Sequence, residues 1–435
     1  MGSTKPSCPQ DRGVTTIVAA AGPRNAPDVV DVVALGESMV TFLPSRPGRL
    51  ADVPSFDRAI GGAESNVVCA LAAAGHSTRW VGRVGADGFG DHLVEAIGSH
   101  GVDVTSVRRD PDRPTGVYFR TAQDRASGAH EVAYYRAGSA ASAMSAHNVD
   151  LRAARAGRVL HLTGITAALS GDCRALLREL ITRRPPAGPR PLVSFDVNHR
   201  PALWRDADGP RVLRELAQDA DIVFVGEDEA REVWGLEGPE AVRAAFPGPA
   251  VLVVKQGGRG ATAFAEGAGG PDAFAEGAGG PGPENGGEPG DGRRAGTGAD
   301  GGEGRGEAGA DGGDGRREAG ADGGEGRRGR TGRGAGLFVP ALRVEVVAAV
   351  GAGDAFAAGF LSATLRGLPL RDRLRHGHLM AAAALTAPGD LAVPVTRDHA
   401  DRLAAVDDTA WGRLRPGPGW TAQDAPRAPE EARTP

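Results

Sequence analysis

The stretch Val350–Phe360, Val-Gly-Ala-Gly-Asp-Ala-Phe-Ala-Ala-Gly-Phe, sets two glycines ahead of an aspartate that opens an apolar helix. The first turn of a helix has unpaired backbone N–H groups and the positive end of the helix dipole, so it attracts anions. Gly351, Ala352 and Gly353 leave their amides free to converge on a phosphate, while Asp354 beside them has the chemistry to take a proton from an attacking hydroxyl. No Gly-Lys-[Ser/Thr] follows, so this is not a Walker loop; Phe356 stands where a dinucleotide fingerprint needs its third glycine. Taken alone, the word is equally that of an aspartate N-cap behind a glycine turn.

Outward from this point the chain reads as alternating α/β. Val29–Leu35 is a mostly apolar run ending at Gly36, and Arg79–Val84, Val159–Leu162, Leu192–Val197, Ile222–Val225 and Val251–Lys255 repeat the pattern with helical segments between most of them. Asn66–Ala74, alanine-rich and apolar all round, follows Gly61-Gly62 as a buried helix. Strands apolar on both faces belong to a parallel sheet covered on both sides, which predicts a three-layer α/β/α architecture. Met39–Phe56 and Thr115–Ala137 break the rhythm with shorter, aromatic-bearing alternation and are assigned to a small β lid.

Of the 67 glycines in 435 residues, 29 lie between Ala265 and Gly336. This stretch carries two duplications: AFAEGAGGP starts at Ala263 and again at Ala273, and EAGADGG(D/E)GRR at Glu307 and again at Glu318. Each glycine costs a helix about 1 kcal/mol relative to alanine, so the segment reads as a flexible, self-neutralising insertion between two strands that pair with each other. Residues 1–28 and 411–435 read as disordered tails, which leaves one domain over 29–410.

Fifty basic against 55 acidic side chains give a net charge of −5, which points away from nucleic acid and anionic membranes and toward a small-molecule partner. Cys8, Cys69 and Cys173 are far apart and form no Cys-x-x-Cys pair, which argues against a disulfide framework or a structural metal site and fits a cytoplasmic protein. No run approaches eighteen apolar residues, and Val14–Ala21 lacks a clean basic flank, so it reads as neither signal peptide nor membrane span.

Gly61-Gly62-Ala63-Glu64-Ser65-Asn66 and Gly351-Ala352-Gly353-Asp354, in that order, resemble the two signatures of the ribokinase-like (PfkB) sugar kinases. The words Gly36-Glu37-Ser38-Met39, Tyr134–Ala140, His161–Thr166 and Asp196–Pro201 followed by Leu203-Trp204 are most similar to 2-keto-3-deoxygluconate kinases within that family. The resemblance implies ATP and Mg2+ as cofactors, Asp354 as the catalytic base, and the Gly351, Ala352 and Gly353 amides around the transferring phosphoryl group. It implies a sugar acid held by Gly62, Tyr118, Tyr134, Arg136, Ile165, Arg200 and Asp390, and a nucleotide side made of Asn198, Glu229, Lys255, Gly257 and Gly260. A guanidinium grips a carboxylate through paired hydrogen bonds, which gives Arg136 and Arg200 a chemical reason to face a sugar acid. No metal-ligating side chains are assigned, and the family allows a homo-oligomer built through the lid. Two other readings stand beside this one: a fructokinase-like ketose kinase, and a catalytically idle sugar- or nucleotide-binding regulator.

Three departures from the family pattern stand out. Ala348-Ala349-Val350 precedes the glycine-aspartate word where a polar segment is usual, which argues against a monovalent-cation site. Gly226 replaces the side chain that usually opens the word ending at Glu229, and Gly389–Pro394 lacks charged residues after Asp390. For the insertion, doubling a loop costs only about 0.6 kcal/mol, so replacing Gly267–Gly334 with a short turn is expected to leave the melting temperature and sugar-kinase activity nearly unchanged. A shortened protein that fails to fold or binds ATP more weakly would make the segment a working part of the enzyme.

Overall fold

The computed structural model describes residues 29–46, 48–121, 131–182, 190–204, 208–265, 335–348, 350–387, 389, 391–417 and 419–422. The expected N-terminal tail, nearly all of the glycine-rich insertion and Asp390 lie outside them.

Eight strands form the central sheet, in the spatial order Leu337–Pro340 (β14), Gly260–Ala265 (β13), Val251–Lys255 (β12), Ile222–Gly226 (β11), Leu192–Asp196 (β10), Gly157–Thr163 (β9), Val30–Leu35 (β1) and Thr78–Val81 (β4). From β12 to β4 every pairing is parallel; β13 and β14 run antiparallel at one edge. The pairing of Ala263 with Leu337 joins the two strands that flank the insertion, the hairpin expected from their sequence.

The apolar runs serve two cores at once, because successive side chains leave a strand on opposite faces. Val32, Ala34, Ile222, Phe224, Val251 and Val253 pack on one face; Val33, Leu35, Val223, Val225, Leu252 and Val254 pack on the other. On the first face lie the helices Ala63–Ala73, Ala352–Leu365 and Leu370–Leu385. On the second lie Gly171–Ile181 and Gly209–Asp219. Gly359 lets two helices of the first face meet: a Cβ there would sit 2.3 Å from the His376 carbonyl oxygen.

Met39–Pro44 (β2), Phe56–Gly61 (β3), Val117–Arg120 (β7) and Val132–Tyr135 (β8) make a separate sheet in the order β3-β2-β7-β8, the lid. It reaches Gly61 rather than ending at Phe56, since all of β3 pairs with β2. The expected single strand Arg79–Val84 is split at Gly82: β4 ends at Val81, and Arg83–Gly85 (β5) turns away to pair with Arg108–Asp110 (β6). Gly85–Asp91 forms a turn into a helix: Asp87 accepts hydrogen bonds from the Phe89, Gly90 and Thr115 amides.

The placement of a tail from residue 411 needs correction. Trp411 and Trp420 are buried in the first core, and the Trp411 indole donates to the Pro340 carbonyl at 2.9 Å while the Arg375 guanidinium covers its ring. Two large aromatics offset the proline-rich composition that suggested disorder.

Candidate active site

The described residues singled out from sequence collect at the carboxyl ends of the parallel strands, where open α/β sheets leave a crevice. Thr163, Asp196, Gly226 and Lys255 are the last residues of β9, β10, β11 and β12, and Glu37 follows β1 by two positions. The helix Ala352–Leu365 points its N-terminus at the same crevice, with Gly351 in the left-handed conformation at φ 78°. Asp354 therefore lies in the first helical turn rather than capping it.

Two cavities meet at this helix end. One, of about 780 Å3, is lined by Gly257, Gly258, Gly260, Ala352 and Gly353, and by an apolar slot that includes Leu342, Phe356, Ala382 and Leu385. The other, of about 570 Å3, runs under the lid and is lined by Gly62, Tyr118, Tyr134, Arg136, Ile165, Asn198, Arg200, Glu229, Gly351 and Asp354. Lys255 and Gly353 line both. A phosphate at the helix end would be reachable from either side.

Charges in the crevice are strongly coupled. Asn66 donates to Asp354 Oδ2 at 2.9 Å, and Lys255 Nζ reaches Asp196 Oδ2 at 2.7 Å. Withdrawal from water pushes the Asp354 carboxyl up to about 7, helped by the nearby Asp196 charge and opposed by Asn66, Lys255 and Arg200. For Lys255 burial works against the charge, but Asp196, Glu229 and Asp354 outweigh it and the ammonium is held above its ordinary range. A carboxyl that titrates near neutrality, beside a fixed cation and free amides, is suited to taking a proton from a hydroxyl.

Several expectations are modified by their surroundings. Arg136 is buried and ion-paired with Glu37; Arg200 is half exposed, 3.7 Å from Glu229 Oε1. Both face the lid cavity, but each already has a carboxylate of its own. Glu229 accepts from the Gly226 and His199 amides at 2.8 and 3.2 Å, so it holds the strand-to-helix turn even though Gly226 has no side chain to contribute. Tyr134 sits 5.5 Å from Tyr118 along the cavity wall, whereas Tyr135 packs on Phe119 outside it, as a lid residue. Gly257 and Gly260 bound the β12–β13 hairpin turn and line the larger cavity as well.

Four residues escaped the sequence reading. Glu37 and Asn66 stood in quoted words without a role, Asp196 lay inside another, and Arg120 projects from β7 into the lid cavity. Asn198 carries a backbone signal invisible in sequence: its φ of 39° is the one positive value at a non-glycine residue among those described, the kind of strain held at sites where a side chain must be aimed. Among the described residues, no three acidic, histidine or cysteine side chains are grouped to hold a metal, and no helix is long and apolar enough to cross a membrane.

A crevice with two adjoining pockets, one of them under a lid, and an anion-attracting helix end between them fits phosphoryl transfer between two bound molecules. Residues 30–276 and 321–396 match the pfkB family carbohydrate kinase model, and the chain belongs to that family of carbohydrate kinases. It is 29% identical over 374 residues to the 2-dehydro-3-deoxygluconokinase of Bacillus subtilis (strain 168), covering 85% of this chain and 94% of the relative. It is 31% identical over 239 residues to fructokinase-1 of Zea mays, covering 54% and 72%. Among solved structures, aminoimidazole riboside kinase from Salmonella enterica, complexed with aminoimidazole riboside and an ATP analog, superposes with a TM-score of 0.59 at 21% identity over 86% of this chain and 100% of that one. The α/β/α sheet with its lid is the ribokinase-like fold.

Proposed function

We propose that this carbohydrate kinase transfers the γ-phosphoryl group of ATP to the terminal primary hydroxyl of a 2-keto-3-deoxy sugar acid, 2-keto-3-deoxygluconate, giving the 6-phosphate. The observation that carries the reading is the pair of guanidinium groups, Arg136 and Arg200, in the same lidded cavity as Asp354. The similarity to the Bacillus subtilis enzyme supports the same substrate.

In this reading ATP occupies the larger cavity, with its base in the apolar slot and its phosphates at Gly257, Gly260 and the helix end. The sugar lies against Gly62, Tyr118, Tyr134 and Ile165. Asp354 takes the proton of the acceptor hydroxyl as its oxygen attacks the γ-phosphorus, the bond to the bridging oxygen breaks, and ADP departs. The Gly351, Ala352 and Gly353 amides and Lys255 neutralise charge that gathers on the transferring group. Asn198 and Glu229, both on the crevice wall, would hold Mg2+ through its bound water. When bound, that ion supplies further charge neutralisation to the nucleotide.

A second reading, a ketose kinase, is favoured by one observation: Arg136 and Arg200 are each already paired with an internal carboxylate. ATP consumption measured against sugar acids and neutral ketoses separates the two. Under the sugar-acid reading, Arg200→Ala loses at least about 10-fold in kcat/KM on the acid and under about 3-fold on a neutral ketose of equal length, because a hydrogen bond between charged groups is worth roughly 1.5–3 kcal/mol. Equal losses on both would favour the ketose kinase.

A further inference from the structure

Glu37 connects the two halves of the lidded cavity. It leaves the end of β1 in the main sheet and meets Arg136, which directly follows β8 of the lid. Both side chains are nearly excluded from solvent, at 1% and 9% exposure. A third group completes the set: Ser139, itself buried, donates its hydroxyl to Glu37 Oε1 at 2.6 Å. Gly116 keeps the space open, since a Cβ there would stand 3.0 Å from Glu37 Oε1 and 3.4 Å from the Arg136 side chain. The Tyr134 ring centre lies 5.8 Å from the guanidinium carbon. Held on these sides, Arg136 still has its Nε buried without a hydrogen-bond partner among the described residues, while the side chain forms part of the cavity wall. A cation this desolvated is costly to keep, and an anion in the cavity its side chain lines would offset part of that cost.

We propose that Glu37 is a positioning residue for the acceptor: through its ion pair it fixes the plane of the Arg136 guanidinium on the cavity wall, where that group meets the carboxylate of the sugar acid. The inference rests on the sugar-acid reading above. Glu37 also borders the lid cavity, and the role assigned to it here is the one exercised through Arg136. A planar guanidinium discriminates carboxylates only when its plane is set, and a side chain with four rotatable bonds needs a second anchor to set it.

The test is a double-variant cycle with steady-state kinetics on 2-keto-3-deoxygluconate and on fructose. The wild type is measured first; a wild type that prefers fructose removes the sugar-acid reading, and the role assigned to Glu37 falls with it. In a wild type that prefers the acid, Glu37→Gln is expected to raise KM for the acid about 30-fold, with kcat within about 3-fold and fructose kinetics within about 3-fold. In an Arg136→Ala background the same Glu37→Gln change is expected to cost under about 2-fold. A loss of equal size in both backgrounds, or an equal loss on fructose, overturns the proposal while leaving the sugar-acid reading intact. If Glu37→Gln does not fold, Ser139→Ala replaces it: removing one restraint on Glu37 is expected to raise the acid KM about 5-fold at unchanged kcat, and an unchanged KM overturns the proposal.

Discussion

Asp354→Asn is expected to lower kcat by at least about 100-fold while the protein stays folded, the range that removal of a general base produces. The amide has nearly the same shape and its oxygen still accepts from Asn66, so the loss isolates the proton-accepting function. In the wild type kcat/KM should rise with pH to a plateau above about 7, where burial places the carboxyl, because only the ionised form accepts a proton. Stability has the opposite sign. The folded-state value lies above the ordinary 3.8, so the protonated carboxyl is the one the fold favours, and its contribution is complete below about pH 4 and lost as pH rises through about 7. Asp354→Asn should therefore melt above the wild type at pH 8, with the gap closing toward pH 4. Thermal melts across that window check the sign, and near-wild-type turnover in the variant would remove Asp354 from the mechanism.

Lys255→Met is expected to damage both turnover and stability. The ammonium lines both cavities, where charge gathers during transfer, and losing one such donor costs about 100- to 1,000-fold in kcat. It also leaves Asp196, 2% exposed, without the partner now 2.7 Å away. Stranding one member of a buried pair costs about 3–5 kcal/mol, a drop of many degrees in Tm. The double variant Lys255→Met/Asp196→Asn should recover much of the stability and none of the turnover. Full activity in Lys255→Met would place the phosphates elsewhere.

How much of this was legible beforehand depends on the range of the interaction. Short-range physics was readable in the residue order: apolar runs that must be covered on both faces, hence a parallel sheet between helices; a glycine word that opens a helix toward an anion; and two strands that close a hairpin across a long polar insertion. The candidate site was visible residue by residue for the same reason, since each side chain carries its chemistry with it. Which charges meet depends on the folded chain. Glu37 and Arg136 are about a hundred positions apart, Asn66 and Asp354 nearly three hundred, and their pairing changes an arginine from a free cation into an anchored one and an ordinary aspartate into one that titrates near neutrality. Trp411 and Trp420 show the same limit, because proline-rich composition marks a tail while burial depends on a core built by distant strands and helices. Periodicity and turn chemistry act over a few residues; desolvation and ion pairing act through space, and only the folded chain sets those distances.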